Sequence, residues 1–209
     1  MFSVSDNIFK CSPENGIDIA ICSKRAIEND HFKNKTSDIS DGAFQRAIEK
    51  KGIEVLVRFL FGKQEKVVYR QNGAPFIKNS NKHISISHSK KLIAVALNTN
   101  PIGIDIEEIS SRPKKIAQRF LHEEEHGLFT TEVELTSAWT IKEALYKLGC
   151  PPGISFKTGI RILKILEKED MAYLCEIRAN ETPEKIFCRS VVFDNHVLTF
   201  TSNFEYHIS

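Results

Sequence analysis

The chain has 209 residues, 41% of them hydrophobic, with 29 lysines and arginines against 27 aspartates and glutamates, a formal net charge of +2. That near balance lacks the basic excess that holds a protein to nucleic-acid phosphates, so nucleic-acid binding is set aside. Five scattered cysteines (Cys11, Cys22, Cys150, Cys175 and Cys188) form neither a CxxC pair nor an even-numbered framework, which argues against a zinc cluster or a disulfide scaffold and predicts free thiols.

In chain order, residues 17–21 alternate as a strand that opens Gly16-Ile17-Asp18-Ile19. Phe44, Ala47, Ile48, Val55, Phe59 and Leu60 recur at helical spacing over 44–61, with Asp41 as the expected cap and Gly62 as the stop. Residues 67–69 and 75–77 flank Asn72-Gly73 and predict a hairpin with a tight turn. Strands follow at 83–87, 92–97 and 102–107. Pro113 opens a helix with Ile116, Phe120 and Leu121, and residues 136–148 form the clearest helix, stopping at Gly149. Strands are then expected at 160–166, 171–177, 186–193 and 196–201, with Asp194-Asn195 turning the last pair. Residues 1–10 hold Asp6 and no apolar run, and no stretch nears the ~18 apolar residues of a membrane span. The reading is a cytoplasmic protein with no membrane contact.

Gly16-Ile17-Asp18-Ile19-Ala20 returns as Gly103-Ile104-Asp105-Ile106-Glu107. Each copy precedes a helical stretch and then strands, which suggests two similar halves about a pseudo-twofold axis, dividing near 98–101 into 1–98 and 99–209. Chance recurrence of common residues is the competing explanation. Only the second copy keeps two carboxylates.

On a strand, residues i and i+2 share a face, so Gly103, Asp105 and Glu107 lie on one side and Ile102, Ile104 and Ile106 on the other. Adjacent carboxylates repel each other and suit a hard divalent cation, although a solvated edge strand would show the same pattern. On the helix, Trp139, Glu143 and Lys147 fall at i, i+4 and i+8, opposite an apolar stripe of Ala138, Ile141, Leu145 and Leu148. Glu143 and Lys147 read either as an ordinary salt bridge or as a metal ligand or base with a counter-charge to phosphate. Trp139 reads as core. Ile84-Ser85-Ile86-Ser87-His88-Ser89 ends a strand with hydroxyl and imidazole groups suited to phosphate, whereas adjacent Ser and His on opposite faces disfavour a hydrolase pair.

Ser87-His88-Ser89, Pro101 through Glu107, and Trp139 through Lys142-Glu143-Ala144 to Lys147, in that order and spacing, resemble a 4′-phosphopantetheinyl transferase of the larger, single-chain pseudo-dimeric class. The likeness runs from about Asn72 to Gly153 and takes in 116–121 and Glu123-Glu124 between the motifs. It implies an α+β fold of two similar halves. The first half, 1–98, would contribute to a coenzyme A cleft, and 99–209 would carry the metal site and catalytic helix.

The implied activity is that of a holo-acyl-carrier-protein synthase type enzyme. Phosphopantetheine would pass from coenzyme A, the co-substrate, to a serine of an apo acyl or peptidyl carrier protein, releasing 3′,5′-ADP. By the same resemblance, Asp105, Glu107 and Glu143 would hold Mg²⁺, and Ser87 and His88 would contact coenzyme A phosphates, His88 the 3′-phosphate. Lys147 would meet charge on the leaving group, and Glu143 would help deprotonate the acceptor serine. The class often has Gly-Lys-Pro where this chain has Gly73-Ala74-Pro75, so one phosphate-binding ammonium is missing, and either coenzyme A binds less tightly or Arg46 and Lys50 compensate. Ala20 in place of a second acid implies one coenzyme A per chain and a monomer. A catalytically silent coenzyme A or carrier-binding module is the alternative, and a metal-dependent phosphodiesterase a third reading.

Overall fold

The computed structural model describes residues 3–5, 7–14, 16–32, 40–180 and 182–202. They form two compact units, Met1–Pro101 and Ile102–Ser209.

The first unit holds strands β1 (Ser3–Ser5), β2 (Ile8–Glu14) and β3 (Ile17–Ser23), helices α1 (Lys24–His31) and α2 (Asp41–Phe61), a hairpin of β4 (Val67–Tyr69) and β5 (Pro75–Ile77), and strands β6 (His83–His88) and β7 (Leu92–Asn98). Its five-stranded antiparallel sheet runs β1-β2-β3-β7-β6, with β4-β5 apart. Every residue of β7 is buried, as expected of an apolar run, Leu92 to Leu97, on a strand flanked by β3 and β6. α2 lays Phe44, Ile48, Ile53, Leu56 and Val57 onto Ile93, Val95 and Leu97. Gly62 ends that helix in the left-handed conformation, at φ 69°.

The second unit holds β8 (Ile104–Glu108), α3 (Arg112–Phe120), a 3-10 turn (Glu123–Glu125), α4 (Glu132–Gly149), and β9 (Ile160–Glu167), β10 (Ala172–Ile177), β11 (Glu184–Phe193) and β12 (His196–Ser202). Its antiparallel sheet runs β8-β12-β11-β10-β9. Asp194 and Asn195, both at positive φ (43° and 58°), turn β11 into β12 as a two-residue hairpin demands. α4 starts in a capping box, where the Thr131 hydroxyl accepts from Glu134 N and the Glu134 carboxylate accepts from Thr131 N. Beneath α4, Thr140, Thr199 and Ser190 form a buried chain of hydroxyl hydrogen bonds of 2.7 Å each, tying helix to β12 and β11.

The Gly-Ile-Asp-Ile echo marks equivalent strands. In each unit that strand (β3, β8) leads into a short helix and a long one. It pairs with the last strand (β7, β12), which pairs with the strand before it (β6, β11). The long helix covers that strand pair in both units.

Several expectations are corrected. Ser40 rather than Asp41 is the cap of α2, Asp41 being the first-turn acid. The Asn72-Gly73 turn is a five-residue loop in which Arg70 N donates to Ala74 O and Gly73 sits at φ 83°. The third mid-chain strand starts at Ile104, because Gly103 is drawn onto α4. A Cβ at Gly103 would lie 1.9 Å from the Ala144 carbonyl oxygen, so only glycine fits. β1, β2, α1 and the 3-10 turn went unpredicted. All five cysteines are free thiols, and four are buried. Among the described residues no helix is long and apolar enough to cross a membrane.

Candidate active site

β8 and α4 build the site within the second unit. Gly103, just before β8, faces α4, so Asp105 and Glu107 on the same side are delivered to that helix while Ile104 and Ile106 are fully buried behind. β8 is registered on β12 with Asp105 opposite Thr199 and Glu107 opposite Val197. From α4, Ala138, Ile141 and Leu145 are fully buried, as their stripe requires, and the other stripe meets the acids. The Lys147 ammonium donates to Asp105 Oδ1 at 2.7 Å. The salt bridge expected within the helix is thus one between helix and strand.

Trp139 has a part that its sequence position did not show. Its indole packs edge-on to Phe120 at 5.2 Å and against Phe156 at 5.7 Å, which makes it core, and it also hydrogen-bonds to the Glu107 carboxylate. The same indole lines a small concavity with Glu107, Glu108, Ser110, Arg112, Pro113 and Ile116.

Burial, then the Asp105 charge, pushes the Glu107 carboxyl up, opposed by the Trp139 indole, Arg112 and Lys147. Glu143 is pushed up to about 7 by burial and by Asp105, with Lys147 working against the shift and Glu107 adding to it. Three acids therefore strain one another around a single ammonium.

Residues 101–201 match the model of the 4′-phosphopantetheinyl transferase superfamily. The second unit is a domain of that superfamily. A 4′-phosphopantetheinyl transferase of Aneurinibacillus migulanus is 35% identical over 100 residues, 44% of this chain and 42% of that protein. Another, of Bacillus pumilus, is 32% identical over 117 residues, 49% of this chain and 50% of that protein. The chain thus spans half or less of the length of these curated relatives.

In this transferase-family domain the oxygen-only donor set fits a hard divalent cation, which commonly takes one or two carboxylates and fills its shell with water and phosphate. Among the described residues no three His, Cys, Asp or Glu side chains are gathered closely enough to hold a metal ion as they stand.

The domain also contains an ion pair that went unpredicted. Lys142 is fully buried, and its ammonium donates to Glu125 Oε2 (2.7 Å) and to the carbonyls of Phe156 and Ile160 (2.8 Å each). Glu125 Oε1 accepts from Ile162 N and Oε2 from His122 N, both at 2.7 Å. The signal was available for Lys142, which lies at i+4 from Ala138 and i−3 from Leu145, on the apolar stripe. It was not available for Glu125, one of three consecutive glutamates.

In the first unit, His88 ends β6 exposed, whereas Ser87 is turned inward and buried. His88 Nδ1 lies 3.4 Å from Glu49 Oε1, which accepts from Lys24 Nζ at 2.6 Å. Lys24, a residue of no sequence pattern, is buried beside it. Arg46 and Lys50 are exposed on α2 and one turn apart, Arg46 three residues before Glu49 and Lys50 directly after it. Gly73, Ala74 and Pro75 lie in the hairpin loop and at the start of β5. Asp18, the counterpart of Asp105, is held by its own neighbours. Burial pushes its carboxyl up, but the Ser12 hydroxyl, Lys10 and Lys82 outweigh this and hold it below the usual value. Ala20 is fully buried.

The strain on Glu143 should be visible in stability. Its carboxyl rises from an ordinary 4.5 to about 7 on folding. Between those values the folded chain binds more protons than the unfolded one, so Glu143 lowers stability progressively across that window and by a constant amount above it. Glu143→Gln removes the effect. In a chelator, the variant is expected to be more stable than the parent by about 1–2 kcal/mol at pH 8.5, after solvent screening, and to lose that advantage at pH 4.5. Urea titrations at both pH values check this, and equal stabilities at pH 8.5 would contradict it.

Proposed function

We propose that the chain transfers the 4′-phosphopantetheine group of coenzyme A to a serine hydroxyl of an apo acyl or peptidyl carrier protein, as a holo-acyl-carrier-protein synthase does, and releases 3′,5′-ADP. The observation that carries this reading is the cluster of Asp105, Glu107 and Glu143 around Lys147, in a domain of the transferase superfamily. The names of the two relatives support it. A silent binding module has no use for three acids held in mutual repulsion.

Asp105, Glu107 and Glu143 would hold Mg²⁺, which when bound neutralises pyrophosphate charge. Trp139 fixes the Glu107 carboxylate, so that ligand is oriented before substrate arrives. Glu143 would also help take the proton of the attacking serine. Lys147 places an ammonium where charge collects on the departing phosphate. No covalent enzyme intermediate is needed, since positioning and electrostatics suffice for phosphoryl transfer. Of the two echoing motifs only the second has a paired acid, which supports a monomer binding one coenzyme A. Free thiols suit a cytoplasmic location.

Transfer of label from pantetheine-labelled coenzyme A to a panel of apo carriers, read as a mass gain on the carrier, tests the proposal. Hydrolysis of coenzyme A without carrier labelling would indicate a phosphodiesterase, and binding without either reaction a silent module.

His88 is proposed as a contact of the coenzyme A 3′-phosphate, with Arg46 and Lys50 adding positive charge and Gly73, Ala74 and Pro75 approaching by backbone. His88→Ala is expected to raise the KM for coenzyme A roughly tenfold, the size of a lost charge-assisted hydrogen bond, with kcat nearly kept. The preference over 3′-dephospho-coenzyme A should shrink equally. A fall in kcat with that preference intact would place His88 elsewhere.

A further inference from the structure

Lys147 stands on the carboxylate that the proposed cation needs. Its ammonium is 2.7 Å from Asp105 Oδ1, with the Asp105 side chain 5% and the Lys147 side chain 28% exposed. A pair of that length between full charges is among the stronger hydrogen bonds a protein makes. Its influence reaches beyond Asp105, since the same ammonium opposes the upward push on both Glu107 and Glu143. Lys147 is thus the counter-charge shared by all three acids, and Arg112 acts on Glu107 besides. A lysine head on a flexible four-carbon stem can give up one oxygen for another at small cost, provided the second oxygen also carries negative charge.

We propose that Lys147 makes this site specific for a divalent cation and a phosphate-bearing ligand taken together, by neutralising Asp105 until a phosphate oxygen draws its ammonium away. The inference rests on the metal-dependent transferase reading above. A bare cation must compete with an ammonium already in place, and the displaced ammonium is left half-buried without an equivalent partner. When a pyrophosphate arrives with the cation, the ammonium moves from carboxylate to phosphate and nothing is left uncompensated. The two ligands then favour one another, and by linkage each raises the other's affinity by the same factor. A bare cation would not lock the site in a form that coenzyme A must pry open.

Removing this charge should therefore strengthen binding of the cation alone, the reverse of what the loss of a useful residue ordinarily does. Magnesium chloride alone and preformed magnesium pyrophosphate are titrated into the full chain by calorimetry. Trp139, the chain's one tryptophan, reports by fluorescence through its bond to Glu107. Lys147→Met is expected to bind bare Mg²⁺ about tenfold more tightly than the parent, and magnesium pyrophosphate more weakly. Lys147→Gln, which keeps a neutral donor, should do the same, and circular dichroism verifies that both are folded. Bare Mg²⁺ binding no tighter in either folded variant overturns the inference while the metal reading stands. Asp105→Asn separates the two ideas, because it should abolish cation binding in the parent. If it does not, the metal reading fails and this inference with it.

Discussion

An Asp105→Ala variant is expected to lose transfer activity by on the order of 10³-fold or more while keeping its fold. The side chain reaches α4 from β8, but the strand is held by its ladder to β12 and by Ile104 and Ile106 behind it, none of which involves the carboxylate. Truncation removes the ion pair with Lys147, whose ammonium is exposed enough to find water. The chemistry loses more. Asp105 is the partner of Lys147 and a source of the charge that raises both Glu107 and Glu143, so its loss resets all three. Carrier labelling at saturating coenzyme A and Mg²⁺, alongside a thermal melt, measures both halves of the expectation. Near-normal turnover would remove Asp105 from the site.

The largest effect on stability is expected at Lys142. Its ammonium meets Glu125 and two backbone carbonyls in a place with no water access, and burial pushes the ammonium down while Glu125 holds it charged. Lys142→Met keeps most of the volume but leaves the buried Glu125 carboxylate without its closest counter-charge, the Arg161 guanidinium standing off at 3.9 Å, a change that typically costs about 3–5 kcal/mol. Glu125→Gln should be similarly harmful, because the ammonium is then stranded. The double variant should be less unstable than the sum of the singles, since the charges disappear together. Urea unfolding of the four proteins closes that cycle, and strict additivity would mean the pair is not coupled.

The sequence was most informative where one physical rule acted alone. The apolar stripe of α4 needed only helical spacing, and Asp194-Asn195 only the tolerance of those residues for positive φ. Alternation along β8 put Asp105 and Glu107 on one face, which is the face toward α4. What stayed hidden depended on tertiary neighbours. β2 contains Pro13 and a bulge between Cys11 and Glu14, which breaks the alternation that would have revealed it. α1 buries only Lys24 and Ile27, too few residues to draw a stripe. Trp139 was read as core because packing and hydrogen bonding by one indole are not alternatives, and nothing in the sequence shows where its N–H points. Ser87 was expected at a phosphate, but only the completed sheet shows which of two adjacent side chains faces outward.

The buried cysteines give each half of the chain its own clock. Burial pushes the Cys22 thiol up to about 12 and raises Cys175 well above its ordinary value, so almost none of either is reactive thiolate in the folded protein at neutral pH. An alkylating reagent can mark these positions only when the surrounding structure opens. Cys11 and Cys22 count openings in Met1–Pro101, and Cys175 and Cys188 count those in Ile102–Ser209. Mass spectrometry of one timed sample then yields two opening rates. From them one learns whether the transferase-family domain breathes on its own or only when its neighbour does.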